Sequence, residues 1–237
     1  MLWGSIIISP TKFYIAMSNR TQVFAGGSKN PATKFLDWKS DQKGFSYYDK
    51  GLGKNVEVPL PFKFIFLDEL STVKGWNDAS SSGIFSNEVK YLSKEPMTVK
   101  AFKGGEIAKG LYNEIKERVK NAGGHYSKSI YIMLEDGALA NIQLKGSATQ
   151  QWGEFVKANR QSITRTWVNV ATATESKKGK VVFSVPNFTI GADIEDLDAK
   201  DADAKFDELE SYLKTYLAKV DITEIDVESE IEEELQF

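Results

Sequence analysis

Residues 56–67 read VEVPLPFKFIFL, and their alternation decides the fold class. Val56, Val58, Leu60, Phe62, Phe64 and Phe66 fall on one side of an extended chain, six positions at period two. That period is the mark of a strand with one buried face. Pro59 and Pro61 cannot donate to a ladder, so the first half of the run is expected at a sheet edge or a bend. Toward the N-terminus, a strand-like run covers residues 44–48, and residues 1–33 carry scattered Gly, Asn and Ser with no sustained period.

Toward the C-terminus, residues 71–83 (STVKGWNDASSSG) read as a loop, with glycine and a serine run. Residues 83–102 read as one or two strands interrupted at Pro96. Residues 106–121 predict the first helix. Ile107, Leu111, Ile115 and Val119 recur every four positions, and Gly123-Gly124 ends the pattern. Two apolar runs, 129–134 and 138–144, are joined by Glu135-Asp136-Gly137, a hairpin signal. Ser147 and Gln150 form a capping-box pattern ahead of a helix whose inner side carries Ala148, Trp152, Phe155 and Val156. Residues 164–174 and 180–185 predict a second hairpin around Ser176-Lys177-Lys178-Gly179. Residues 201–219 place Phe206, Leu209, Leu213, Tyr216 and Leu217 on one helical stripe. Such a stripe requires burial, on the body of the protein in the first instance and otherwise on another subunit. From Asp221 onward charge is dense and periodicity is lost, which predicts a disordered tail.

Composition narrows the function classes. With no Cys in the 237 residues, disulfide and thiolate chemistry are excluded and a cytoplasmic location is permitted. His125 is the single histidine, which excludes a His-rich metal site. No apolar run approaches the ~20 residues of a membrane span, and MLWGSIIISP lacks the basic start of a signal peptide. No membrane partner is therefore expected. The charge is divided along the chain. Residues 191–237 hold 17 acidic and 4 basic residues, a net of −13, and residues 1–190 hold 16 and 26, a net of +10. The two give the chain's −3. A basic body is the electrostatic footprint of a polyanion binder, although net charge alone bears on solubility rather than fold.

Residues 228–237 read ESEIEEELQF, five Glu with no basic residue and a closing Phe. Phe237 carries ring and α-carboxylate together, a handle suited to a small apolar pocket rimmed by cations. The bland alternative is a solvated acidic segment. The ending resembles the tails of bacterial and phage single-stranded DNA-binding proteins. The middle adds to this: residues 62–67, 83–89 (GIFSNEV), 99–105 (VKAFKGG) and 128–133 (KSIYIM) look like a family of phage-encoded single-stranded DNA-binding proteins, a pattern-level match over roughly residues 35–190. The resemblance implies an OB-type β-barrel, a small closed sheet with one or two helices and a groove for single strands. It implies sequence-tolerant single-stranded DNA binding in phage-type replication, recombination or repair, in the host cytoplasm, with no cofactor and no catalysis.

Single-strand binding needs cations for phosphates and exposed aromatic faces for bases. The two are interleaved here. Trp38 stands between Lys34 and Lys39, and Tyr47 and Tyr48 between Lys43 and Lys50. Trp76 follows Lys74, Tyr91 follows Lys90, Phe102 is flanked by Lys100 and Lys103, and Trp167 follows Arg165. Lys128 precedes a strand, and Lys177 and Lys178 occupy a hairpin tip. Phe62, Phe64, Phe66, Phe183, Trp152 and Phe155 are expected in the core instead. Trp38, Tyr47, Tyr48 and Trp76 are expected to be exposed, because their surroundings are polar and loop-like. For Tyr91, Phe102 and Trp167 core packing is the competing reading, and for the lysine tip an ordinary solvated turn. Gly104-Gly105 lacks a phosphate-loop pattern.

The expected architecture is thus mainly β with helices: an N-terminal extension over residues 1–34, an OB-type barrel with helical insertions over 35–190, an amphipathic helix segment over 191–220 and a flexible acidic tail over 221–237. The tail is expected to recruit replication or recombination proteins through Glu232, Glu233, Glu234, Leu235 and Phe237. A homo-oligomer is left open. Two other functions compete: an interaction or virion component that does not bind DNA, supported by the amphipathic helix and the tail, and a Mg²⁺-dependent nuclease, which would need several converging carboxylates.

Overall fold

A computed structural model describes residues 29–218. The strands are β1 (Lys34–Lys39), β2 (Gly44–Asp49), β3 (Lys54–Val58), β4 (Phe62–Asn77), β5 (Ser82–Ser86), β6 (Met97–Ala101), β7 (Gly105–Gly110), β8 (Gly124–Met133), β9 (Leu139–Lys145), β10 (Thr166–Lys178) and β11 (Val181–Asp193). The helices are α1 (Tyr112–Asn121), α2 (Ser147–Ala158) and α3 (Asp196–Ala218). The fold is mainly β with helices, as expected.

The strand order is β3-β2-β1-β9-β8-β4-β5-β6-β7. The hairpin β10–β11 joins it where Val168–Val170 meets Phe62–Phe64 of β4. The β1–β9 pair is parallel and the other strand pairs are antiparallel. The expected closed barrel is not formed among the described residues: the path runs from β3 to β7 and no pairing joins these two ends.

The long strand β4 organises both faces. On one face Val58, Leu60, Phe62, Phe64 and Phe66 enter a core with Ile130, Ile132, Ile142, Trp152, Phe155 and Phe188. The alternation of residues 56–67 is thus realised, but the chain turns at Pro59–Pro61 and leaves β3 as an edge strand. The same face continues to a second core under α1, built on Val73, Ile84, Met97, Val99, Ile115 and Val119. Between the two lies a polar seam. Glu69 accepts the Trp152 indole N–H at 2.6 Å and the Lys128 ammonium at 2.6 Å. The opposite face is covered in part by α3, whose Ala202, Leu209, Tyr212 and Leu213 pack on Ile65, Leu70, Tyr131 and Met133. The amphipathic helix therefore docks on the body. Its hold is also polar: the Tyr131 hydroxyl donates to Glu88 at 2.8 Å, and the Glu88 N–H donates to the Tyr216 oxygen at 3.0 Å.

Three local expectations are corrected. The first half of the expected 106–121 helix is strand β7, because Gly110 adopts φ 148°, a conformation that side-chain-bearing residues rarely take. Ala108 pairs with Val99, and of the four-residue repeat Ile115 and Val119 are buried on the helix while Ile107 reaches the same core from β7. Gly104 accordingly lies in the β6–β7 turn and Gly105 opens β7 rather than a helix. Residues 71–77 are strand, not loop. Their small polar side chains are buried with partners, Thr72 and the Val73 N–H both bonding Ser86. Gly75 lets β8 approach so closely that a Cβ there would collide with the Gly123 carbonyl. Ser147 is the first residue of α2 and makes no cap; Gly146, at φ 57°, precedes it.

Candidate nucleic-acid interface

Strand alternation fixes what the α3 face presents beyond the helix. Val73 faces α1, so Lys74 and Trp76 face the other way. In antiparallel pairs, residues directly opposite share a face. The registers His125–Lys74, Lys74–Phe85, Phe85–Lys100 and Lys100–Glu106 then build one continuous row across β8, β4, β5, β6 and β7. The next row runs from Trp76 through Gly83 to Phe102, whose N–H donates to the Gly83 carbonyl at 3.0 Å. Trp76 is 47% exposed and Phe102 37%. Two exposed rings thus flank a glycine that adds no side chain, beside a row that reads cation, ring, cation and ends at one carboxylate.

The platform under these rings is stiff. The Asn77 side-chain amide donates to the Ala122 carbonyl at 2.9 Å, and its oxygen accepts the Ser80 N–H at 2.9 Å. Gly123 lies so close that a Cβ on it would strike the Trp76 carbonyl. Lys103 follows Phe102, exposed, with its N–H donated to Ser82. Lys74, Trp76, Lys100, Phe102 and Lys103 are therefore brought together. Phe85 and His125 complete the rows and were missed, because nothing in a local window shows which strands become neighbours.

The other predicted residues lie elsewhere. Trp38, Tyr47 and Tyr48 are half-buried on strands, not exposed in loops. Trp38 packs edge-on to Phe45 at 5.1 Å and donates its indole N–H to the Ser184 carbonyl at 2.9 Å. Tyr47 packs on the α2-side core, with the Lys34 ammonium 5.6 Å from its ring centre. Lys39 shares β1 with Trp38, and Lys50 is exposed in the β2–β3 turn. Several cations face carboxylates: Lys34 meets Asp136 at 3.4 Å, Lys43 meets Glu175 at 3.1 Å, Lys90 meets Asp68 at 2.9 Å and Lys128 meets Glu69. The hydrogen bond to Asp68 holds the Lys90 ammonium above the ordinary lysine range. Tyr91 is 55% exposed beside Lys94. Trp167 is half-buried against the α3 core under Lys63, with Arg165 exposed just before it. Lys177 and Lys178 are exposed at the β10–β11 tip. Glu232, Glu233, Glu234, Leu235 and Phe237 lie outside the described residues, as do residues 1–28.

Among the described residues no group of three His, Asp or Glu side chains is placed to hold a metal ion, and no helix is long and apolar enough to cross a membrane. Comparison with protein-family profiles, with curated proteins and with solved structures finds no match to this chain.

Proposed function

We propose that the protein binds single-stranded DNA with little sequence preference along the α3 face of β4–β7. The observation that carries this reading is the pairing of two exposed rings, Trp76 and Phe102, with the adjacent Lys74–Phe85–Lys100 row. Exposed aromatics take bases because every base has a stacking face, and lysines beside them neutralise the phosphates between bases. The sheet is proposed to be an OB-type barrel in its partly open form, a fold that presents a strand face to oligonucleotides. The resemblance noted above suggests phage-type replication, recombination or repair as the setting, with residues 228–237 recruiting partner proteins.

Titration of fluorescent oligo-dT against duplex DNA of equal length, at low and moderate salt, tests the reading. Tighter binding to the single strand, falling steeply with salt, is expected. Equal or tighter duplex binding refutes the single-strand assignment. Divalent-dependent cleavage of the oligonucleotide points to the nuclease instead, and no binding to either form points to an interaction protein.

A further inference from the structure

The β10–β11 hairpin does not end where its packing ends. Phe183 is the last residue of β11, toward the tip, that packs on the core, and Ser184 is pinned to Ser40 by two hydrogen bonds of 2.6 Å. Beyond them the ladder continues through Lys177–Val182 and Lys178–Val181. Two residues on each strand therefore project into solvent, about 7 Å at the rise of a strand, followed by the Gly179-Lys180 turn. Val181 and Val182 are 65% and 57% exposed, an unusual place for two adjacent β-branched aliphatics.

Residues 176–182 hold three lysines, 177, 178 and 180, and no acid. The register decides how they are displayed. Lys177 lies opposite Val182, and Lys178 opposite Val181. Opposed residues share a face and consecutive residues do not. Each side of the ribbon thus presents one lysine and one valine. A ribbon laid flat on a surface would need its cations on one side. Cations on both sides match a slot with two anionic walls, and the valine beside each lysine meets the same wall. The base of the ribbon is braced: Asn187 accepts from the Thr174 hydroxyl at 2.9 Å and donates to Thr172 at 3.0 Å.

We infer that this arm enters a groove of duplex nucleic acid. The B-form major groove is about 12 Å wide, admits a two-stranded ribbon and offers thymine methyls to aliphatic side chains. Together with the single-strand face, the arm directs the protein to junctions between single and double strands. Only the junction rests on the proposed single-strand function; the duplex contact stands without it.

The test compares the full chain with the variant Lys177→Ala/Lys178→Ala/Lys180→Ala on three probes: oligo-dT, a blunt duplex, and the same duplex with a dT overhang. All three positions are exposed, so the melting curve is expected to be unchanged. The variant should lose on the order of tenfold on both duplex probes and nothing on oligo-dT, with its duplex salt slope smaller by about 2.7, at ~0.9 per phosphate contact. The triple Lys→Arg variant should keep wild-type duplex affinity. An equal loss on oligo-dT overturns the inference, because the arm is then part of the single-strand track. No loss on either duplex also overturns it and leaves an ordinary turn or a protein contact. If the wild type ignores oligo-dT but the variant still loses duplex affinity, the single-strand function fails and the arm assignment survives.

Discussion

Trp76→Ala and Trp38→Ala separate a binding platform from a core. Both tryptophans stand beside lysines in sequence, but the structure gives them different environments. Trp76 keeps 47% of its surface in water, so its removal costs at most about 2–3 kcal/mol of folding stability from the half that is covered. If a base stacks on it, the loss in affinity is about 1–3 kcal/mol, or roughly 5- to 150-fold in Kd. Trp38 packs on the α2-side core and ties Ser184 through its indole N–H. Truncating it should cost about 3–5 kcal/mol, since a cavity opens and the Ser184 carbonyl loses a partner. Fluorescence anisotropy with oligo-dT, read beside a urea midpoint, gives both quantities for each variant. Phe102→Ala should behave like Trp76→Ala. Because Gly83 separates the two rings, their effects should add if successive bases occupy them. Unchanged affinity for Trp76→Ala and Phe102→Ala, with weakened binding but an unshifted midpoint for Trp38→Ala, would refute the assignment of the α3 face.

Replacing Lys74 and Lys100 together by Ala should lower the slope of log affinity against log salt by about 1.4 for oligo-dT, at ~0.7 per contact on single strands; anisotropy titrations across a salt series measure it. Burial, reinforced by the Glu88 charge, holds the Tyr131 hydroxyl well above the ordinary tyrosine range. A raised folded-state pKa contributes stability that is complete below about pH 10 and is lost as pH climbs past it. Melting temperature should therefore fall above pH 10, and Tyr131→Phe should flatten that fall while costing about 1.5–3 kcal/mol at neutral pH through the lost bond to Glu88. Tyr112, raised by burial, and Lys90, raised by Asp68, act with the same sign and leave a residual slope. Removing residues 228–237 deletes five glutamates, so affinity for oligo-dT at low salt should rise while capture of partner proteins is lost; weaker DNA binding by this truncation would refute that role.

What was legible in the sequence was local. The alternation of Phe62, Phe64 and Phe66 survives because one face of β4 is buried along that stretch. Glu135-Asp136-Gly137 marks the β8–β9 turn because a glycine at φ 75° belongs there. Residues 71–77 looked like a loop because Ser71, Thr72 and Gly75 are chosen for close strand contact, a reason visible only once β8 lies alongside. The four-residue repeat from Ile107 to Val119 predicted one helix because Gly110 counts for little in a periodicity. The candidate site suffered in the same way. Lys74, Trp76, Lys100, Phe102 and Lys103 were identified as residue types, but so were Trp38 and Tyr47, and only pairing registers tell the two sets apart.

The division of charge carries a further lesson. Composition changes sign near residue 191, which suggested a border between a DNA-binding domain and an appended segment. The fold has no such border: β11 runs on to Asp193, and α3 supplies Leu209, Tyr212 and Leu213 to the core beneath it. The acidic half therefore begins inside the body. Asp201, Asp203, Asp207, Glu208 and Glu210 are exposed on the outer side of α3, and the charge of Glu210 reaches Lys90. The face that carries Lys74 and Lys100 is thus bounded by a helix of the opposite sign. A phosphate chain crossing α3 would meet repulsion, whereas one running along β4–β6 would meet Lys74 and Lys100. The strand direction on the proposed interface follows from that boundary as much as from the lysines. The proposed binding of a polyanion by a protein of net charge −3 rests on local excess: residues 1–190 carry 26 basic against 16 acidic residues, and the surplus of acids lies in residues 191–237.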